Sequence, residues 1–82
     1  MNKELMMQIL LKDGNTKKEA EKRLSDTPFP AIIYEGFDEY LRMLDSYDIY
    51  AGQTEEDAKA GKIDGLRYVE HEGKDYFIEY VN

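Results

Sequence analysis

The chain has 82 residues, no cysteine and a formal net charge of −7. That length supports one domain with a modest core, and without cysteines neither a disulfide framework nor a thiolate zinc site can hold it together. No apolar run approaches the roughly 18–20 residues of a membrane span, and Gln8, Lys12 and Asp13 break up any leader-like start, so a cytoplasmic protein is expected.

Residues 3–12 place Leu5, Met6, Ile9 and Leu10 along one helical face, broadened by Met7 and Leu11. Asp13-Gly14-Asn15 then reads as a stop, with Gly14 suited to the left-handed conformation past a helix end. Thr16 and Glu19 form a capping-box pattern that starts a second helix over about 16–25, whose core residues are Ala20 and Leu24. Pro28 and Pro30 prevent it from continuing.

Ala31-Ile32-Ile33-Tyr34 is β-branched and aromatic, and it offers either a short third strand at 31–34 or the entry to the next helix. Phe37, Tyr40, Leu41, Leu44 and Tyr47 recur in steps of three and four, which predicts a helix over about 36–47 with Asp38, Glu39 and Asp45 turned away from the core. Thr54 caps a short helix at about 54–60, where Glu55, Glu56 and Asp57 meet the positive end of its dipole and Gly61 ends it.

The C-terminal stretch carries strand pattern at about 66–71 and 74–81, joined by Glu72-Gly73 as a two-residue hairpin loop. If His71 faces Lys74, then Val69, Tyr76, Ile78 and Tyr80 share the face that meets the helices. Tyr68 and Phe77 then lie on the other face among Glu70, Asp75 and Glu79. The expected fold is therefore α+β: an N-terminal helical hairpin, a central helix, a short acidic helix and an antiparallel β-hairpin, in one domain of residues 1–82.

Catalytic chemistry finds little support. His71, the sole histidine, reads as an exposed residue beside the hairpin turn, and neither Ser25 nor Ser46 has a nucleophile's setting. The carboxylates lack the alternating spacing of a calcium loop, and the glycines lack phosphate-cradling spacing, so no metal, cofactor or catalytic residue is assigned. Lys17, Lys18, Lys22 and Arg23 on the second helix invite a DNA-reading helix pair, but the acidic remainder would repel phosphates.

Charge placement is more informative. Residues 31–58 hold Arg42 against eight acids, whereas the flanking segments are close to neutral. A patch of that sign favours a basic protein partner over nucleic acid. The candidate partner-binding residues are Tyr34, Glu35, Asp38, Glu39, Asp45, Asp48, Tyr50, Glu55, Glu56 and Asp57. The same acids allow an alternative, a DNA-like surface that occupies the channel of a nucleic-acid enzyme.

Three blocks carry a likeness: Thr16, Glu19, Ala20 and Leu24; Ile33, Tyr34, Glu35, Phe37, Glu39 and Tyr40; and Gly73, Lys74, Tyr76, Ile78 and Tyr80. In this layout the chain resembles small uncharacterised accessory proteins of conjugative elements and phages from low-GC Gram-positive bacteria. The resemblance implies an accessory role in a mobile element, through binding of a host or element protein. It implies no reaction and transfers no functional residue.

Overall fold

Helix α1 (Lys3–Lys12) begins where the Asn2 side chain accepts the Leu5 N–H at 2.8 Å. It ends in a double turn of backbone bonds, Asn15 N–H to the Leu10 carbonyl and Gly14 N–H to that of Leu11. Gly14 sits at φ +106° to allow this closure. Helix α2 (Lys17–Leu24) opens with the reciprocal Thr16–Glu19 capping box. The computed structural model describes residues 1–25, 30–45 and 53–81, with Asp45 represented by its backbone; the predicted continuation of the central helix to residue 47 lies outside them.

The remaining elements are β1 (Ala31–Glu35), α3 (Phe37–Asp45), α4 (Glu55–Lys59), β2 (Leu66–His71) and β3 (Lys74–Tyr80). Residues 31–35 are thus a strand, which resolves the ambiguity in the sequence. The sheet is antiparallel, in the order β1-β3-β2. His71 faces Lys74, Val69 faces Tyr76 and Arg67 faces Ile78, the expected register. Glu72 at φ 50° and Gly73 at φ 78° make the tight loop, two left-handed residues in a row as the right-handed strand twist demands. On the other side of β3, Ile33 faces Ile78 and Tyr34 faces Phe77.

One sheet face presents Val69, Tyr76 and Ile78 to Ile9, Leu10 and Ala20 of the α1–α2 hairpin. The opposite face was expected to be partly polar and open. Instead it forms a second core, in which Phe77, Tyr34 and Leu66 meet Phe37, Tyr40 and Leu44 of α3 and Ala58 of α4. The molecule is therefore three layers, helices–sheet–helices. Because both faces are covered, Tyr76, Phe77 and Ile78 are all buried in succession along β3, where a strand with one wet face would alternate.

The charged residues on that second face are tied down rather than solvated. Asp75 accepts the Tyr68 hydroxyl at 2.7 Å and pairs with Lys59 of α4 at 2.9 Å. Glu79 accepts the Tyr34 hydroxyl at 3.0 Å. These bonds satisfy carboxylates that would otherwise prevent the face from being covered.

Candidate functional site

Tyr34 does not belong to an exposed surface. It is 3% exposed, its ring meets that of Tyr40 edge-on at 5.3 Å, and its hydroxyl is spent on Glu79. The reason is strand alternation: Tyr34 shares a face with its register partner Phe77, directly beneath α3. Burial, reinforced by the Glu79 bond, raises its phenol above the ordinary tyrosine value. Tyr40, which donates to Gln53 at 3.0 Å, is raised chiefly by burial as well.

The other candidates separate by place. Glu35, Asp38 and Glu39 are exposed on β1 and α3, and Glu55 and Glu56 are exposed on α4. Asp57 is half-buried, and its N–H is bound by Thr54 in the cap of α4. Asp45 is placed by backbone alone, while Asp48 and Tyr50 lie outside the described residues.

His71 is also unlike its expectation. Its side chain is 12% exposed, and both ring nitrogens are buried without a hydrogen-bond partner. The ring is therefore largely packed into the fold and is not the exposed hairpin histidine that the sequence suggests. The Lys59–Asp75–Tyr68 cluster has geometry for proton transfer but the wrong tuning. The Asp75 bond raises both the Tyr68 phenol and the Lys59 ammonium, while the Tyr68 and Lys59 bonds lower Asp75. Each shift favours the protonation state that makes these bonds, so the cluster pins α4 to the sheet. Among the described residues, no group of three or more imidazole or carboxylate side chains is arranged to hold a metal ion.

The sheet edges offer a more distinctive feature. Val81 N–H donates to the Pro30 carbonyl, so residues 30, 32 and 34 turn their backbone groups toward β3. Ala31, Ile33 and Glu35 therefore turn theirs outward. Glu39 closes one of these positions by accepting the Glu35 N–H through its carboxylate. The outward groups of Ala31 and Ile33 have no partner among the described residues.

The opposite edge, along β2, is also partly closed. There Lys12 reaches across to donate to the Glu70 carbonyl at 3.1 Å, and Leu66 N–H is taken by the Ile63 carbonyl. Among the described residues, both outward backbone groups of Tyr68, the Leu66 carbonyl and the Glu70 N–H have no such partner. Charged side chains and self-pairing are how folded proteins blunt an edge; both edges are closed near their ends in this way and open at their centres, and β1 differs in the exposed apolar side chain of Ile32 beside its open groups.

Beside the open edge runs a shallow groove between β1 and α3, lined by Ile32, Ile33, Tyr34, Glu39, Arg42 and Met43. It continues past Glu39 and Arg42 to Glu35, Lys74 and Asp75. Ile32 is 37% exposed and Met43 46%, so the groove has an apolar middle and an end of mixed charge. Sequence reasoning identified Tyr34, Glu35 and Glu39 among the lining residues but missed Ile32, Arg42 and Met43. The only available signal was the apolar pair Ile32-Ile33 in a strand with no lysine; whether that strand lay at an edge depended on its distant pairing with β3.

Among the described residues, no helix is long and apolar enough to cross a membrane. No protein-family model, curated protein or solved structure matches this chain.

Proposed function

We propose that this chain is a non-enzymatic protein-interaction module of the cytoplasm, an accessory protein of a bacterial mobile element, whose recognition surface is the β1 edge with the flanking groove of α3. The carrying observation is the pair of exposed apolar side chains, Ile32 and Met43, along the groove beside the open backbone groups of Ala31 and Ile33. An extended segment can add to such an edge by backbone hydrogen bonds and place alternate side chains in the groove. The accessory role rests on the resemblance described above.

A photoreactive phenylalanine analogue in place of Ile32, expressed in native cells, tests the reading. A discrete covalent adduct should form from position 32 and not from the exposed Lys62 position. Equal labelling from both positions, or none from position 32, would refute it.

A second reading draws on the exposed acids of α3 (Asp38, Glu39) and α4 (Glu55, Glu56), two helices on the same sheet face. It makes the chain an inhibitor that occupies a nucleic-acid channel. DNA must then compete with it for its target, and simultaneous binding of both refutes this version.

A further inference from the structure

We propose that Met43 is a reversible oxidation site. Hydrogen peroxide converts its thioether to the sulfoxide, which turns the apolar middle of the β1–α3 groove polar and weakens docking there without unfolding the domain. The proposal rests on the reading of that groove as the recognition surface, and it supplies the regulation of the same site.

Composition narrows where an oxidant can act. The chain has no cysteine, hence no thiolate to take up peroxide, and its sulfur is confined to four methionines: Met1, Met6, Met7 and Met43. Met6 and Met7 are half-buried on α1, and Met7 packs against the core beneath that helix. Met1 stands before α1 and matches Met43 in exposure, each at 46%. Susceptibility of a thioether follows its access to solvent, so Met1 and Met43 should react ahead of the other two. Of the four, Met43 is the one that lines the groove.

Position gives the reaction its consequence. Phe37, Tyr40 and Leu44 occupy the buried side of α3, which leaves Met43 on an outer flank of the helix, in the same groove as Ile32. Met43 belongs to neither core cluster, so an oxygen added to its sulfur should spare the fold. The groove is affected instead. A sulfoxide oxygen is a hydrogen-bond acceptor, and an apolar side chain laid against Ile32 and Met43 would strip its water while offering no donor in return. The flexible, polarisable thioether that suits an adaptable apolar surface thus becomes a polar group at the centre of that surface.

The step balances with peroxide as the oxidant. A lone pair on the Met43 sulfur attacks one peroxide oxygen, the O–O bond breaks and hydroxide departs. The hydroxide then takes the proton from the transferred oxygen, leaving the sulfoxide and water. Sulfur is oxidised by two electrons and the peroxide is reduced by two. The return step uses a dithiol reductase, which removes the oxygen as water and is left as its own disulfide. The exposure of Met43 leaves the sulfoxide open to such an enzyme.

Graded hydrogen peroxide on the full chain, read by peptide mass mapping and then by photoadduct formation from position 32 in native lysate, tests the proposal; catalase removes the peroxide between the two steps. Met43 should gain one oxygen well before Met6 and Met7, with circular dichroism unchanged. The adduct yield should fall at least about fivefold and return after treatment with methionine sulfoxide reductase and dithiothreitol. In Met43→Leu the yield, whatever its starting level, should be indifferent to peroxide, which separates Met43 from Met1. Oxidation of Met6 or Met7 ahead of Met43, dichroism lost while Met6 and Met7 are still intact, an undiminished adduct at full Met43 oxidation, or a peroxide-sensitive Met43→Leu chain overturns the proposal. An undiminished adduct leaves the groove reading standing. No adduct from the untreated chain removes that reading and the switch together.

Discussion

Replacing His71 with leucine should stabilise the protein. The imidazole sits at the end of β2 with 12% of its side chain exposed, and neither Nδ1 nor Nε2 has a hydrogen-bond partner. The nearest anion, the Glu72 carboxylate, is 4.0 Å from Nε2, beyond hydrogen-bonding distance. A neutral imidazole carries one donor and one acceptor, both hydrated in the unfolded chain and both bare here. Each buried orphan costs about 1–3 kcal/mol, while an apolar group of similar volume carries no such penalty. Allowing for imperfect repacking, His71→Leu should gain about 1–2 kcal/mol. In a domain of this size that raises the melting temperature by about 4–8 °C per kcal/mol. Urea denaturation is the cleaner assay: the midpoint should rise with an unchanged slope. His71→Gln, which keeps a donor and an acceptor at the same place, should show no comparable gain. If His71→Leu folds normally yet is no more stable than the parent, the orphaned-imidazole argument is refuted.

Three further outcomes follow from the same contacts. Phe77 is fully buried and touches Phe37 and Tyr68 at centroid distances of 5.7 and 5.4 Å. Phe77→Ala should remove about 3–5 kcal/mol, enough to leave much of a small domain unfolded by circular dichroism. Alkali should destabilise the fold through its tyrosines. Tyr34, Tyr40 and Tyr68 are raised in the folded state and Tyr80 is raised to about 12. The unfolded chain titrates near 10, so the stability from these phenols is complete below about pH 10 and drains away as pH rises toward the folded values. Urea midpoints should fall between about pH 9 and pH 11, with phenolate absorbance rising as the dichroism is lost. An unchanged midpoint would contradict the burial of Tyr34, Tyr40 and Tyr80 and the Tyr68–Asp75 bond. Gly73→Ala meets open space but keeps φ near +78°, so it should cost about 1 kcal/mol by urea denaturation through backbone strain alone.

Features governed by neighbouring residues were readable from the sequence. The Thr16–Glu19 box, the Gly14 stop and the Glu72-Gly73 loop each depend on a few adjacent side chains, and each formed as expected. The helical spacing of Phe37, Tyr40 and Leu44 likewise identified the buried side of α3. What escaped was decided by contacts distant in sequence. Glu70, Asp75 and Glu79 suggested a wet sheet face, yet Tyr68, Lys59 and Tyr34 neutralise two of these acids and allow α3 and α4 to cover it. Tyr34 looked like an interface tyrosine because nothing nearby revealed that it lay opposite Phe77. His71 looked exposed because a hairpin end usually is. The groove went unseen for the same reason, since Ile32 and Met43 meet only once β1 has joined β3 and α3 has folded back.

The position of β3 governs how this chain must be made. It lies between β1 and β2, supplies buried residues to both cores, and is the last of the three strands to leave the ribosome. Until it emerges, both cores lack their most buried strand residues and β1 and β2 have no strand to join them. Each core is completed in a late step, when Tyr76, Phe77 and Ile78 arrive together. A stalled or shortened translation product that lacks β3 would therefore be not a smaller version of this domain but a collection of sticky helices for proteases to remove.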